Sequence, residues 1–267
     1  MNKDIFEAFR TLVYDKAGIA LGDKKDALVS ARLGKRMRLL NIDSYEDYFD
    51  IVNKDTSGNE IIQLLDSIST NVTHFFREEQ HFDFISTQMR AWFSAGQRKF
   101  RFWSAGCSSG EEPYSIAMTT NETLQGQPCD IKILATDLSL RVLAKATSGL
   151  YNLKDMDKVP ERFIDTYFTK VMIDSQTKYQ IDNRCKSLIA FQRLNLTEIP
   201  FPMKGPFDLI FCRNVMIYFD NDMRLRLLGE FHRLLKKGGF LLVGHAESLT
   251  GMLSGFKSII PSVYVKG

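Results

Sequence analysis

The residues best suited to chemistry gather in one stretch, residues 100–118, FRFWSAGCSSGEEPYSIAM. Alternation around Trp103 predicts a buried strand. The tiny residues 104–110 predict a tight turn, and Pro113 in a first turn predicts a helix after it. Gly106 and Gly110 permit positive φ and let a ligand lie against bare backbone. Neither the dinucleotide spacing GxGxxG nor a P-loop lysine is present. Glu111 and Glu112 at the helix start would repel phosphate, but they suit a ligand presenting a sulfonium, an ammonium and a ribose. S-adenosylmethionine fits that description and ATP does not. The same stretch would also serve as an empty structural turn with solvated glutamates. Asp137, ending the next predicted strand, stands where open α/β sheets grip ribose hydroxyls, or is a solvated strand-end acid. Upstream, Phe75 and Phe76 in TNVTHFFR are expected to anchor that segment and leave Asn71, Thr73 and Arg77 projecting together.

Other chemistries find little support. Cys107, Cys129, Cys185 and Cys212 show no CxxC spacing, which argues against a zinc site or a disulfide framework and for a reducing cytoplasm. No cysteine or histidine is paired with a base to make a hydrolase, and Cys107 and Cys212 read as small apolar groups. His74 and His81 read as packing residues rather than metal ligands.

These residues need elements to hold them. The chain has 267 residues, 44% hydrophobic and 25% charged, with a net charge of +3. That composition is ordinary for a globular protein with room for one large or two modest domains. Apolar runs fall far short of a membrane span, and residues 1–20 lack a signal-peptide core. So small a charge excludes a general polyanion binder, yet Lys24, Lys25, Arg32, Lys35, Arg36 and Arg38 cluster against Asp26 alone. Residues 1–93 read as an all-α domain of several helices, with Val29, Leu33, Met37 and Leu40 making one apolar stripe and the basic residues another face. A basic face of this kind is either solvated surface or a docking surface. Residues 94–97 read as a hinge, and 98–267 as an α/β domain of parallel strands. A subdomain of short strands at about 150–187 interrupts it, and a hairpin closes the chain at 256–265. Asn195 and Leu196 fall at the end of the third parallel strand. Arg213, Asn214 and Tyr218 come after the fourth.

The segments TNVTHFFRE, FWSAGCSSGEEPYSIAM, FDLIFCRNVMIYFD and LLKKGGFLLVGHAES resemble the chemotaxis receptor methyltransferases, the CheR family, and the likeness extends over nearly the whole chain. The resemblance implies an N-terminal all-α domain followed by a Rossmann-like class I methyltransferase domain. Its sheet would be mostly parallel and seven-stranded, with a terminal antiparallel hairpin and a small inserted β-subdomain. It implies transfer of methyl from S-adenosylmethionine to receptor glutamates, giving γ-methyl esters and S-adenosylhomocysteine. Cofactor contacts would fall on Asn71, Thr73, Arg77, Gly106 and Glu112, on Asp137 at the ribose, on Asn195 and Leu196 at the adenine, and on Arg213 and Asn214. Receptor helices, part of an acidic cytoplasmic bundle, would meet Lys25, Arg32, Lys35, Arg36 and Arg38. Some relatives dock a receptor's C-terminal tail on a glycine-rich loop of the insertion. No Gly-x-Gly occurs between Tyr151 and Asn195, so tether-independent action is expected.

A glutamate with a pKa near 4.3 is ionised at neutral pH and needs no general base. Arg77 is expected to orient it, with Tyr218 donating a hydrogen bond or shaping the methyl channel, although a packed aromatic is the plainer reading of a lone tyrosine. Two rivals stand beside this expectation. A nucleic-acid methyltransferase would carry Asn-Pro-Pro-aromatic where Arg213-Asn214-Val215-Met216 stands. A non-catalytic cofactor-binding adaptor would have no use for Arg77, Asp137 and Tyr218. No nucleic acid, membrane insertion or metal is expected, and no regulatory partner is identified.

Overall fold

The computed structural model describes residues 1–22, 26–68, 72–247, 249, 251–252 and 255–267. Four helices open the chain: α1 (Lys3–Ala17), α2 (Asp26–Leu40), α3 (Tyr45–Lys54) and α4 (Asn59–Ile68). Asn2 starts α1 by accepting the Ile5 N–H at 2.9 Å. Gly18 stops it in the left-handed region, its N–H donating to the Tyr14 carbonyl. The apolar faces meet in one core around Phe9, Val13, Leu33, Tyr48 and Leu64. On α2 the buried residues are Val29, Leu33 and Met37, three of the four in the expected stripe.

The fifth helix, α5 (Gln80–Ser94), corrects the expected boundary. Its periodicity is helical as anticipated, but Phe82, Ile85 and Met89 join the core of the sheet with Phe100, Phe102 and Phe211. By packing, the helical domain therefore stops after α4 rather than at residue 93. Periodicity shows that a face is buried, not which layer buries it.

The sheet domain runs β1 (Lys99–Ala105), α6 (Glu111–Leu124), β2 (Asp130–Asp137) and α7 (Leu140–Ser148). The insertion comes next as β3 (Leu150–Asn152), α8 (Glu161–Tyr167), β4 (Phe168–Ile173), β5 (Gln176–Ile181) and α9 (Asn183–Lys186). The chain returns through β6 (Ile189–Arg193), β7 (Phe207–Cys212), α10 (Asn221–Leu234), β8 (Leu235–Val243), β9 (Phe256–Ile260) and β10 (Val263–Lys266). Seven strands lie in the order β6-β2-β1-β7-β8-β10-β9, and the insertion makes a separate sheet β3-β5-β4. The first five are parallel, and β10 runs antiparallel to β8 and β9. The mostly parallel sheet, closing hairpin and inserted antiparallel sheet are those expected. On α10, Met223, Leu227, Leu228, Phe231 and Leu234 are buried, whereas Leu225, which falls at helical spacing with Leu228 in the sequence, is 48% exposed. Strand order reverses between β1 and β7, and such a switch point leaves a crevice beyond the strands' carboxyl ends. Every residue of β7 is buried, which fixes the start of the 213–219 segment against the core.

Candidate functional site

The crevice is a pocket walled by several segments of the chain, a concave setting of the kind that small-molecule sites use. Gly106, Cys107, Ser108 and Glu112 come from the turn and helix after β1, Asp137 and Leu138 from the end of β2, and Asn195 and Leu196 from the end of β6. Arg213, Asn214, Val215 and Tyr218 come after β7, while Thr73 and Arg77 arrive from the segment before α5. Asn71 and Lys25 lie outside the described residues. Every other residue expected to contact the cofactor lines this one pocket.

The β1 turn is built for close approach. Gly106 has φ 84°, and a Cβ there would stand 2.4 Å from Val215 Cγ2. Its N–H and that of Cys107 both donate to the Thr136 carbonyl, at 2.8 and 2.9 Å. Asp137 is clamped across the same turn, accepting the Ser108 N–H at 2.8 Å and the Ser139 N–H at 2.9 Å. Burial nevertheless raises its carboxyl above the ordinary 3.8, the N–H donors only partly offsetting the desolvation. A carboxylate with two donors retains lone pairs for two more, which is what a ribose diol offers.

Glu112 is held on both oxygens, by the Ser104 hydroxyl at 2.6 Å and by Arg213 Nε at 2.7 Å. Arg213 is itself buried. Its Nη1 donates to the Arg77 carbonyl at 2.5 Å, lies 3.1 Å from His81 Nδ1 and 3.4 Å from Glu78, and its guanidinium faces Phe82 and Phe211. Arg213 thus lines the pocket while its Nε and Nη1 serve the protein, fixing Glu112 and the strap that carries Arg77. Burial, Arg213 and His245 push His81 down to about 3, so its ring is neutral. Phe75 and Phe76 are buried as anticipated, each anchoring the strap by roughly 1.5–3 kcal/mol. Next to them Arg77 stays half-buried, its Nη1 donating to the Val72 carbonyl at 3.0 Å.

Asn195 lines the pocket but is committed locally. Its Nδ2 donates to the Lys16 carbonyl at 2.9 Å and to Glu198 at 3.0 Å, and its Oδ1 accepts from Thr197. Through that bond the end of α1 is drawn over the sheet, and Ala17 and Ile19 join the pocket wall. Sequence reasoning missed both. The available signal was Gly18, which marks a helix stop and so a turn free to meet another element. Glu247 was missed as well: it is buried and accepts the N–H groups of Asn214 and Gly244, both at 2.7 Å, and of Ile217 at 3.3 Å. Those bonds hold Asn214 at its positive φ of 60°. The signal was an acid inside GHAES, a segment already noted.

The thiols are inert. Burial raises Cys107 and Cys212 well above the ordinary thiol value. Glu78, His81 and His245 come close enough to suggest a metal site, but the Arg213 guanidinium already occupies the space between Glu78 and His81. Of the basic residues expected to meet the substrate, Arg32, Lys35 and Arg36 line a second groove beside the pocket. Arg38 is not among its lining residues: on a helix of 3.6 residues per turn it stands about 120° from Arg32 and about 160° from Arg36, on the far side of Lys35. Among the described residues no helix is long and apolar enough to cross a membrane.

Comparison with known proteins agrees with this geometry. The family model described as CheR methyltransferase, all-alpha domain, matches residues 4–69, and that described as CheR methyltransferase, SAM binding domain, matches 71–265. The chain is 37% identical over 273 residues to the chemotaxis protein methyltransferase of Borreliella burgdorferi, covering 100% of this chain and 95% of that protein. It is 35% identical over 259 residues to the chemotaxis protein methyltransferase of Escherichia coli, covering 97% and 89%. A cradle at Gly106 too narrow for a side chain, an acid poised at the end of β2 and a family-wide match all agree. The chain belongs to the CheR family of chemotaxis methyltransferases, and S-adenosylmethionine is its cofactor.

Proposed function

We propose that the protein esterifies glutamate side chains on the acidic cytoplasmic helical bundle of chemotaxis receptors, leaving glutamate γ-methyl esters and S-adenosylhomocysteine. The observation that carries this reading is the state of the pocket's ionisable groups. Cys107 is locked as a thiol, Glu112 is held on both oxygens by Ser104 and Arg213, and the lone pairs that Asp137 keeps beyond its two N–H bonds go, in this reading, to the cofactor's ribose. A nucleophile that must lose a proton finds no suitable base among the described pocket residues, whereas a carboxylate arrives ionised.

S-adenosylmethionine, when bound, supplies an electrophilic methyl on sulfur. Asp137 would hold the ribose hydroxyls, Glu112 the ammonium, and the Gly106 backbone the chain between them. Leu196 and Ile19 offer apolar surface to the base. Thr73 and Asn214 complete the wall. Arg77 is placed to take the incoming carboxylate in a fixed orientation, and Tyr218 to hydrogen-bond it or shape its path. Alignment and exclusion of water of this kind lower a barrier by roughly 7–11 kcal/mol in favourable cases. Arg32, Lys35 and Arg36, with Lys25 before them, would meet the receptor. Action in the cytoplasm and without a receptor tail is part of the reading, and β4 and β5 are joined only by Asp174 and Ser175.

The test is transfer of labelled methyl from S-adenosylmethionine to a purified receptor cytoplasmic fragment. Alkali-labile label on the fragment is expected, with the same yield when the receptor's tail is removed. Arg77→Ala should lower turnover by about a hundredfold while the protein stays folded, because Arg213 binds the backbone carbonyl of Arg77 rather than its side chain. Label on nucleic acid, or none, would refute the assignment.

A further inference from the structure

A second, open groove adjoins the pocket. Val72 lines both cavities, so the groove meets the pocket at that residue. One wall is α2, with Arg32, Lys35 and Arg36. The other is α7, with Arg141 and Lys145. Five cations thus face each other across the groove, and Asp66 is the one carboxylate among its lining residues. Leu39 and Val72, 70% and 72% exposed, add apolar surface between the charges. At 1.5 Å per residue, α2 offers a wall of roughly 22 Å, about four turns of a helix laid beside it.

The cations are not equivalent. Arg36 is committed to Glu60 through Nε at 2.9 Å and Nη2 at 2.6 Å. Arg32 donates to the Ile68 carbonyl. Lys145 is balanced by Asp155 at 3.2 Å and Glu111 at 3.6 Å. Lys35 makes no ion pair among the described residues. Arg141 has a side chain 65% exposed and only a loose pairing, Nε lying 3.8 Å from Asp66 Oδ2. The charges least neutralised within the chain therefore stand on opposite walls.

We infer that α7 is the second wall of the substrate site: Arg141, supported by Lys145, grips an acidic helix that α2 grips from the other side. This rests on the proposed reading of the substrate. A helix with acids on two faces and apolar residues between them matches such a groove, and seating it against both domains would set a carboxylate at the mouth. Exposed Leu39 and Val72 favour a protein helix over a polyphosphate backbone.

The experiment uses the full chain, the receptor cytoplasmic fragment and S-adenosylhomocysteine. Arg141→Gln should raise KM for the fragment roughly fivefold, as removal of a partly exposed charge pair does. Arg141→Glu should raise it further, while kcat moves less than twofold. The dependence of KM on salt should become shallower in both variants, and Arg141→Lys should retain most of the wild-type value. A lysine in place of one acid near the methylated glutamate should partly rescue Arg141→Glu. If the wild type methylates the fragment and both variants keep its KM and salt dependence, α7 takes no part in recognition. A parallel loss of S-adenosylhomocysteine affinity would also overturn the inference, making Arg141 a domain latch acting through Asp66. Failure of the wild type itself would instead sink the substrate assignment.

Discussion

At the scale of single residues the site works by holding charges in surroundings poorer in water than the bulk. Asp137 is the clearest case, since burial raises its carboxyl above the ordinary range. Ribose hydroxyls donating to its oxygens would favour the ionised form, so binding is coupled to proton release. Affinity for S-adenosylhomocysteine should therefore fall as pH drops through the raised value, by about tenfold per unit. Calorimetric titration across that window should show the slope, and Asp137→Asn should abolish it while weakening binding at every pH. His81 is displaced in the opposite direction, to about 3, with Arg213, Glu78 and His245 around it. Its Nδ1 accepts from Arg213, so the proton sits on Nε2, which is buried without a partner. The unfolded chain protonates this histidine near 6.5 and the folded chain does not. Stability is therefore complete above 6.5 and lost as pH falls toward 3, at up to about 1.4 kcal/mol per unit. His81→Gln keeps an acceptor for Arg213, and its urea-unfolding free energy should vary less between pH 7 and pH 5 than that of the wild type. An unchanged slope would mean that the ring protonates in the folded state.

At the scale of elements, what could be read from the chain depended on whether a signal was local. The β1-turn-α6 unit was legible because small residues and positive-φ glycines admit few other structures. The strap was legible because two adjacent phenylalanines must be buried. Which layer receives α5 was not legible, because its apolar face would suit either core. Arg38 was grouped with its neighbours by proximity in sequence, although helical geometry turns it well away from Arg32 and Arg36. Glu247 was hidden for another reason: its partners are backbone N–H groups of β7's end and β8's end, and no residue type advertises a backbone donor. Its burial raises the carboxyl, and three N–H bonds offset that cost. Glu247→Gln would turn an amide N–H toward one of those donors, at a cost of about 1–3 kcal/mol in chemical denaturation. Because Asn214 and Val215 line the pocket, S-adenosylhomocysteine affinity should fall with it. A variant destabilised to that extent but binding normally would show that the loop's shape does not depend on the carboxylate.

At the scale of the molecule, the cofactor pocket is where the two domains join. The end of α1 is pinned to the sheet domain by Asn195 on the Lys16 carbonyl, by the Ala20 N–H on the Tyr218 carbonyl at 2.8 Å, and by Tyr14 on Asp220. At the centre of these contacts is Gly18, with φ 63° and no room for a side chain: a Cβ would stand 2.5 Å from Thr197 Cγ2. Gly18→Ala therefore meets two separable penalties, a left-handed backbone worth about 1–2 kcal/mol and a clash with one methyl. If Ala17 and Ile19 form part of the cofactor wall, the clash should lift them away, and affinity for S-adenosylhomocysteine should drop together with stability. Thr197→Ser removes the offending methyl while leaving the hydroxyl that donates to Asn195 Oδ1 at 2.9 Å. In the double variant Gly18→Ala/Thr197→Ser, affinity should recover and only the backbone penalty should remain, a coupling that a double-mutant cycle in urea unfolding and calorimetry resolves. Were Gly18→Ala to lose stability yet bind at wild-type strength, the helical domain would be a neighbour of the pocket rather than one of its walls.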